Sequence, residues 1–332
     1  MNRIPSLDGV RAFAILLVMW GHWAEVRFHS QVAGAYASLG RRIFFVLSGY
    51  LITTLLTREL EKTSTIRLQR FYVRRAYRIL PGAMLFMAVV FVVFWHELRW
   101  YHMAAAAFYL VNYDFAHPWF IGHLWSLSVQ EQFYFAWPVV LKKWWPHRVW
   151  IAVAAIGVAP AFRVACHFLG LHGRGDEAFP AVADILAIGC LLAFFFKRLP
   201  RVRVGWAALM IVPVLLVPVY MGRLRFHTTA LLLFVLWPVM HCSIAGLLLH
   251  VVQRPYRLLN VGPLVWLGKV SYGLYLWQQL FAFGERARPW YFPLLAVVVA
   301  AGSYYLVEQP MIRLRERSVE QRKAARTLVA AA

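Results

Sequence analysis

Charge is scarce in this 332-residue chain, of which only 15% is Asp, Glu, Lys or Arg. Soluble domains usually carry roughly a quarter of such residues. Hydrophobic residues make up 61% of the chain, and its mean hydropathy is +0.59. These values exclude disordered, coiled-coil and collagen-like proteins, and they do not fit a soluble domain. The composition therefore predicts a polytopic helical membrane protein.

Acidic residues are the scarcer charge type, because 14 Asp and Glu stand against 35 Lys and Arg, giving a formal net charge of +21. In a soluble protein such an excess would indicate nucleic-acid binding. In a membrane protein it more often reports basic cytoplasmic loops and contact with anionic lipid. We therefore expect membrane lipid, and not nucleic acid, to be a partner.

Several familiar site motifs are also missing. The three cysteines, Cys166, Cys190 and Cys242, have neither metal-ligand spacing nor an even number for pairing, and they lie in apolar stretches. We interpret them as small buried residues. The chain has no Walker phosphate loop, no HExxH motif and no GxSxG motif. The sequence thus predicts no metal site and no permanently bound cofactor.

Long hydrophobic runs are the main feature of the sequence. About ten of them are long enough to cross a bilayer. They lie at about 9–27, 43–58, 76–96, 124–143, 148–170, 178–196, 204–221, 228–250, 262–283 and 290–309. A further run at 102–115 is short and contains Asn112 and Asp114. We expect an all-α polytopic membrane protein with about ten transmembrane helices and one short re-entrant or half-buried helix.

Basic residues set the expected orientation. If 102–115 does not cross, about 15 Lys and Arg after residue 115 fall in cytoplasmic segments and about 5 on the opposite side. This bias predicts a multi-pass protein with cytoplasmic N- and C-termini. Arg41 and Arg42 fall on the wrong side and are treated as an exception. We divide the chain into a transmembrane domain, 1–310, and a basic cytoplasmic tail, 311–332, that is solvated or lies on lipid headgroups.

The first span contains an arginine and a histidine eleven residues apart, Arg11 and His22. In a helix this spacing amounts to about 1100°, which puts both side chains on one face, about 16 Å apart along the axis. Asp8 lies one turn before Arg11 and can pair with it. Ionisable groups inside spans are candidate site residues. The alternative is an arginine that reaches the headgroups and a histidine bonded to a neighbouring helix.

A second candidate is the pair Arg75 and Arg78, which share a helix face at a spacing of three residues. A guanidinium group can form two parallel hydrogen bonds to phosphate oxygens, so two of them in register suit a polyphosphate. The alternative is a positive-inside cluster that touches lipid.

A third candidate is Glu131, an acid in an apolar span with Ser128 and Tyr134 three residues away on either side. A buried carboxylate must be paired or protonated. Glu131 is therefore a general base, a partner for Arg11 or His22, or a structural anchor. Asp184 is another buried acid of this kind. Two further charges within spans are interpreted as packing or interface charges: Arg163 and Lys269.

Taken in order, these motifs resemble the acyltransferase-3 family of bacterial integral-membrane acyltransferases, which includes O-antigen and nodulation-factor acetylases. The resemblance covers nearly the whole chain. Its pieces are Ser6-Leu-Asp-Gly-Val-Arg11 followed by His22, Phe44-Phe-Val-Leu-Ser-Gly-Tyr-Leu-Ile52, Arg74-Arg-Ala-Tyr-Arg-Ile-Leu-Pro81, the block from Ser126 to Tyr134, Asp184-Ile-Leu-Ala-Ile-Gly189, Ser271-Tyr-Gly-Leu-Tyr-Leu-Trp277 and Ser303-Tyr-Tyr-Leu-Val-Glu-Gln-Pro310.

The resemblance implies an O-acyltransferase of the bacterial inner membrane. Its donor would be cytoplasmic acyl-CoA, usually acetyl-CoA, and its acceptor a hydroxyl of a cell-surface or lipid-linked carbohydrate. The family's Arg-x10-His motif corresponds to Arg11 and His22, and its RxxR motif to Arg75 and Arg78. On this basis we expect His22 to be the general base, Arg11 to contact CoA or the thioester oxygen, and Glu131 to orient the imidazole.

The sequence departs from the family pattern at three points. Gln130 stands where the family usually has the first of two glutamates, and Gln278 stands where a histidine is common. The SGNH esterase-like domain fused to many members is not in the sequence, so this chain would finish acyl delivery alone or with a separate partner.

The competing hypothesis is a glycolipid or anion transporter, or a flippase, that uses the same intramembrane charges. Such proteins often contain inverted repeats with paired broken helices, and none is apparent in the sequence. The identity of the acceptor and the oligomeric state stay open at this point.

Overall fold

The computed structural model describes residues 5–171, 175–223, 235–254, 256–282 and 289–331. Within these ranges the secondary structure is helical and contains no strand. The α-helices are α1 Pro5–Phe28, α2 Gln31–Thr63, α3 Leu68–Val93, α4 Trp100–Ala107, α5 Trp119–Gly122, α6 Leu124–Lys143, α7 Arg148–Phe168, α8 Phe179–Phe195, α9 Val204–Arg223, α10 Trp237–Gln253, α11 Gly262–Phe281, α12 Phe292–Ser303 and α13 Gln309–Ala331.

The hydrophobic runs explain the positions of the longer helices, because each predicted span overlaps one of them. Among the described residues, four helical segments are long and apolar enough to cross a membrane: Gln31–Thr63, Leu68–Val93, Trp145–Phe168 and Phe292–Gln321. The all-helical prediction is confirmed for the described residues, and the figure of about ten spans stays a prediction. The predicted span at 228–250 begins outside the described residues, and its described part forms α10.

Helix α2 is much longer than the run at 43–58 that predicts it. It begins at Gln31, after the N-cap Ser30, whose hydroxyl accepts a hydrogen bond from the backbone N–H of Ala33 at 3.3 Å. Arg41 and Arg42 therefore lie within a helix and not in the loop before the predicted span, and the side of the membrane on which they fall stays a prediction. The first three turns of α2 contain many small and polar residues, so hydropathy alone does not reveal that the helix begins at Gln31.

Small residues bring the helices around α1 into backbone contact. A Cβ atom on Gly40 of α2 would overlap the carbonyl oxygen of Ala14 in α1, and one on Gly268 of α11 would overlap that of Asp8. Membrane helices commonly approach each other through such small residues, because lipid provides little hydrophobic drive for association. Helix α1 is therefore held between α2 and α11.

The short run at 102–115 does not form one helix. Helix α4 has eight residues and ends before Tyr109, which has a left-handed backbone with φ 55°. The chain continues into a 3₁₀ turn at Val111–Tyr113, whose first backbone N–H donates to the Ser128 hydroxyl at 3.3 Å. The Gln132 side chain donates to the carbonyl of Tyr109 at 2.8 Å. Ser128, predicted to support the site, thus ties this segment to α6.

The last helices form one nearly continuous rod. Helix α12 passes through a π-helical turn, Tyr304–Glu308, directly into α13. Helix α13 packs against α3. The predicted boundary between residues 310 and 311 therefore falls inside a helix, and the tail begins as a packed part of the bundle.

Candidate active site

His22 is buried in α1 between two partners from other helices. Its Nε2 atom is 2.9 Å from Nη1 of Arg41 in α2, and its Nδ1 atom is 3.0 Å from Oε1 of Gln278 in α11. Arginine can only donate hydrogen bonds, so Nε2 is the acceptor and Nδ1 carries the hydrogen. The site thus holds a neutral imidazole in one tautomer, with the basic lone pair of Nε2 directed at Arg41.

The partners of His22 differ from those that the sequence predicts. Glu131, expected to orient the imidazole, instead accepts a hydrogen bond from Arg75 at 3.2 Å. Gln278 orients the imidazole, and it is one of the positions where the sequence departs from the family pattern. Arg41 was missed because its stretch of chain was interpreted as a loop. The N-cap signal of Ser30 could have extended α2 far enough to include it.

A narrow cavity connects Arg41 with Arg11. It has a volume of about 60 Å³. Besides the two arginines, it is lined by Phe44, Phe45, Ser126, Leu127, Gln130, Ser271, Tyr272 and Tyr275. Arg11 and His22 lie on the same helix, about 16 Å apart along its axis. The cavity therefore leads from the level of Arg11 towards the group that touches His22.

A second, basic cavity of about 280 Å³ lies at the end of the bundle where α1, α3 and α11 begin. Its basic residues are Arg11, Arg74, Arg78, Lys269 and Arg315, and its acidic residues are Asp8, Glu308 and Glu316. Arg11 and Tyr272 line both this basic cavity and the narrow cavity. The two cavities therefore adjoin, and Arg11 lies at their junction.

The basic cavity is lined by only some of the predicted site residues, and by others that the sequence does not predict. Arg11, Arg78 and Asp8 line it as predicted site residues. Lys269, interpreted as a packing charge, lines it as well. Arg315 belongs to α13, so the tail supplies a side chain to the cavity. No single helix carries this set, and one sequence gives no signal that would assemble it.

Arg75 and Arg78 are one turn apart but line different cavities. Arg75 faces a third cavity, of about 420 Å³, together with Glu131, Tyr109 and Gln132. Its guanidinium carbon lies 3.0 Å from the centroid of the Tyr134 ring. The predicted pair of arginines on one phosphate site is therefore divided, with Arg78 in the basic cavity and Arg75 engaged by Glu131 and Tyr134.

Asp184 belongs to a buried cluster apart from His22. Both terminal nitrogens of Arg163 donate to its carboxylate, at 3.2 and 2.9 Å, and Nδ1 of His241 lies 3.4 Å from the same group. Arg42 donates to Nε2 of His241, and the Trp237 ring lies near both guanidinium groups, at 4.2 Å from Arg42 and 4.7 Å from Arg163. This cluster ties α2, α7, α8 and α10 together.

The chain belongs to the acyltransferase-3 family, because the family model described as an acyltransferase domain (Acyl_transf_3) matches residues 4–308. The resemblance read from the motifs is thereby confirmed. No solved structure matches the chain.

Curated relatives agree with this family. A peptidoglycan O-acetyltransferase of Listeria monocytogenes is 30% identical over 318 residues, which cover 83% of this chain and 49% of the relative. A Bacillus subtilis protein provisionally named a peptidoglycan O-acetyltransferase is 29% identical, over 96% of this chain and 56% of the relative. A Staphylococcus aureus protein provisionally named an O-acetyltransferase is 27% identical, over 84% of this chain and 50% of the relative. The chain thus spans about half the length of these relatives. These findings give the transporter hypothesis no support.

Proposed function

We propose that this chain is a membrane O-acyltransferase that moves an acyl group, in the simplest case acetyl, from cytoplasmic acyl-CoA to a hydroxyl of a carbohydrate or lipid-linked glycan. Family membership and the names of the relatives support acyl transfer to a carbohydrate. The observation that carries the proposal is the pair of adjoining cavities, which runs from the basic residues around Arg11 to Arg41 beside His22.

The basic cavity suits the donor. Coenzyme A carries a pyrophosphate and a further phosphate, and guanidinium groups form strong, charge-assisted hydrogen bonds with phosphate oxygens. Arg78, Arg74 and Arg315 supply such groups at the end of the bundle where α1 begins. With the phosphates held there, the narrow cavity past Arg11 marks the route of the pantetheine arm, and it widens as the arm brings the thioester towards His22. No cofactor beyond this donor substrate is required.

His22 is the proposed general base. The Nε2 lone pair takes the proton of the acceptor hydroxyl, while Gln278 keeps Nδ1 protonated and the ring oriented. The hydroxyl oxygen then bonds to the thioester carbon, and the C–S bond breaks as CoA leaves with a proton. In a variant of this mechanism Nε2 itself attacks the thioester, and the acyl group is carried on His22 before the acceptor binds.

The location follows from the donor. Acyl-CoA is cytoplasmic, so the basic cavity must open to the cytoplasm. This orientation leaves both termini of the chain on the cytoplasmic side of the bacterial inner membrane, in agreement with the distribution of basic residues. The Glu131 and Arg75 pair is then a polar anchor within the bundle, and Asp184 is a structural group.

The experiment that tests the proposal uses the purified full chain in nanodiscs with radiolabelled acetyl-CoA and a soluble chitin oligosaccharide as a hydroxyl acceptor. We expect the label to appear in ester linkage on the oligosaccharide with the wild type. An Arg78→Ala variant should need more acetyl-CoA for half-maximal rate. Binding of acetyl-CoA with no labelled ester, on the oligosaccharide or on isolated cell-wall and lipid-linked glycans, would contradict the proposal.

A further inference from the structure

Arg41 has three properties that the proposed mechanism leaves unused. It donates to Nε2 of His22 at 2.9 Å, it lines the narrow cavity, and its guanidinium lies 5.5 Å from the ring centroid of Trp125. Its Nε atom is buried and has no hydrogen-bond partner among the described residues. The Arg41 guanidinium, which has one N–H without a partner among the described residues, therefore lies between the narrow cavity and His22.

Arg11 cannot serve the reacting carbonyl at the same time as His22. The two residues are about 16 Å apart along α1, farther than a guanidinium side chain reaches. The thioester carbon must approach the acceptor oxygen that His22 deprotonates, so the charge that develops on its carbonyl oxygen lies near His22. Of the two arginines that line the narrow cavity, Arg41 is the one in contact with the base.

We infer that Arg41 is a catalytic residue that passes from the imidazole of His22 to the carbonyl oxygen of the acyl donor during the reaction. This inference rests on the proposed function. In the resting site Arg41 donates to the Nε2 lone pair. In the transition state the same guanidinium donates to the oxyanion.

The transfer of Arg41 follows from the proton balance. Nε2 has a single lone pair, so the acceptor hydroxyl replaces Arg41 there before the reaction begins. The hydroxyl then gives its proton to Nε2, its oxygen bonds to the carbonyl carbon, and the C=O electron pair moves onto oxygen. His22 is then an imidazolium, which has two N–H donors and no acceptor, so Arg41 cannot return to it until the proton leaves. The oxyanion forms in the same step and accepts from Arg41. As the C–S bond breaks, the C=O bond re-forms and Nε2 returns its proton to the leaving sulfur.

Such an interaction accelerates the reaction because it is made only as charge develops. A contact that is stronger in the transition state than in the ground state raises kcat without improving substrate binding. Removal of one oxyanion donor costs about 10²- to 10³-fold in kcat in well-studied enzymes. The same argument holds if Nε2 attacks the thioester itself, since that step also creates an oxyanion beside Arg41.

The test compares Arg41→Gln with Arg58→Gln, the same substitution at an exposed arginine of the same helix. We expect Arg41→Gln to lower kcat for acetyl transfer by about 10²- to 10³-fold with KM for acetyl-CoA nearly unchanged. Arg41→Lys keeps the charge but not the fork of donors, and should lose about tenfold. Arg58→Gln should behave as the wild type. A kcat for Arg41→Gln within threefold of the wild type, or a rise in KM alone, would overturn the inference.

A second measurement separates this inference from the proposed function. Diethyl pyrocarbonate modifies the unprotonated ring nitrogen of histidine, and its reaction at His22 can be followed by mass spectrometry without any acyl transfer. Because Arg41 covers Nε2, we expect His22 to react faster in Arg41→Gln than in the wild type or Arg58→Gln. Faster modification without any wild-type acetyl transfer would mean that the contact is real and the proposed function has failed. Unchanged modification would refute the Arg41 contact itself.

Discussion

Two adjacent arginines of α2 each engage a buried histidine, but they do so on different sides of the helix. Arg41 donates to Nε2 of His22 in α1, and Arg42 donates to Nε2 of His241 in α10. Both contacts require a neutral imidazole whose hydrogen is on Nδ1. The difference lies in what faces Nδ1, which is the amide oxygen of Gln278 at 3.0 Å for His22 and the carboxylate of Asp184 at 3.4 Å for His241.

This difference separates a reactive site from a structural one. Around His241, the positive charges of Arg42 and Arg163 face the negative charge of Asp184, and His241 is completely buried. Around His22, Arg41 carries the one formal charge in direct contact within the described part of the chain, and it also faces a cavity. The contact between Arg42 and His241 is therefore enclosed by buried charges, whereas the contact between Arg41 and His22 has a neutral second partner and adjoins a cavity.

The largest expected effect is that of His22→Ala. We expect the rate of acetyl transfer to fall by about 10²- to 10⁴-fold, the usual contribution of a general base. Binding of acetyl-CoA, measured by calorimetry, should stay close to that of the wild type because the basic cavity is remote from His22. An equal loss of affinity would show that His22 belongs to the donor site and not to the chemistry.

The counterpart in the other cluster is Asp184→Asn. Arg163 has 1% of its side chain exposed, so the substitution leaves a buried cation without its carboxylate. We expect a loss of about 3–5 kcal/mol in the free energy of unfolding, measured by denaturant titration in detergent. The exposed change Glu320→Gln is the control and should leave stability unchanged. If the folded Asp184→Asn protein lost transfer without losing stability, the division into a structural and a reactive cluster would fail.

A smaller effect is expected from Gln278→Leu. Nδ1 of His22 would lose its acceptor, and an unpaired buried donor costs about 1–3 kcal/mol. We expect kcat to fall about 10- to 100-fold because the imidazole is no longer held in one tautomer. The neighbouring change Gln279→Leu is the matched control for helix α11, since Gln279 bonds to the carbonyl of Trp119 and not to His22. Equal losses in both variants would indicate a general packing effect.

The smallest effect is expected from Arg315→Ala. One cation is removed from a cavity that retains four others, so binding of acetyl-CoA should weaken about tenfold, with kcat unchanged. The exposed change Arg313→Ala, two residues earlier on the same helix, should have no effect on binding. The loss should shrink as salt is added, because exposed charge interactions are screened. A salt-independent loss would indicate a packing role for Arg315.

The sequence predicts the parts of this molecule that follow from local pattern. Long hydrophobic runs identify most of the helices, and the spacing of Arg11 and His22 places both on one face of α1. Contacts between distant helices leave no such local trace, and His22 and Gln278 are 256 residues apart in the chain. A buried carboxylate and the family resemblance therefore selected Glu131 as the partner of His22, although its geometry pairs it with Arg75.

The division of the two arginines of the RxxR motif has a related cause. Residues three apart share a helix face only within an angle of about 60°. That angle is small enough to predict a common face, yet large enough for neighbouring helices to separate Arg75 from Arg78. Which cavity each side chain enters depends on α6, α11 and α13, and their positions become visible only in the folded chain.

The contact between Gly268 and the backbone of Asp8 has a consequence for the opposite end of the same helix pair. His22 lies 14 residues beyond Asp8 on α1, about 21 Å along the axis. Any side chain at position 268 would push α1 and α11 apart near their N-terminal ends. The displacement would also change the contact between the His22 imidazole and the Gln278 amide. The absence of a side chain at Gly268 thus helps to set the relative position of His22 and Gln278 at the other end of the helix pair.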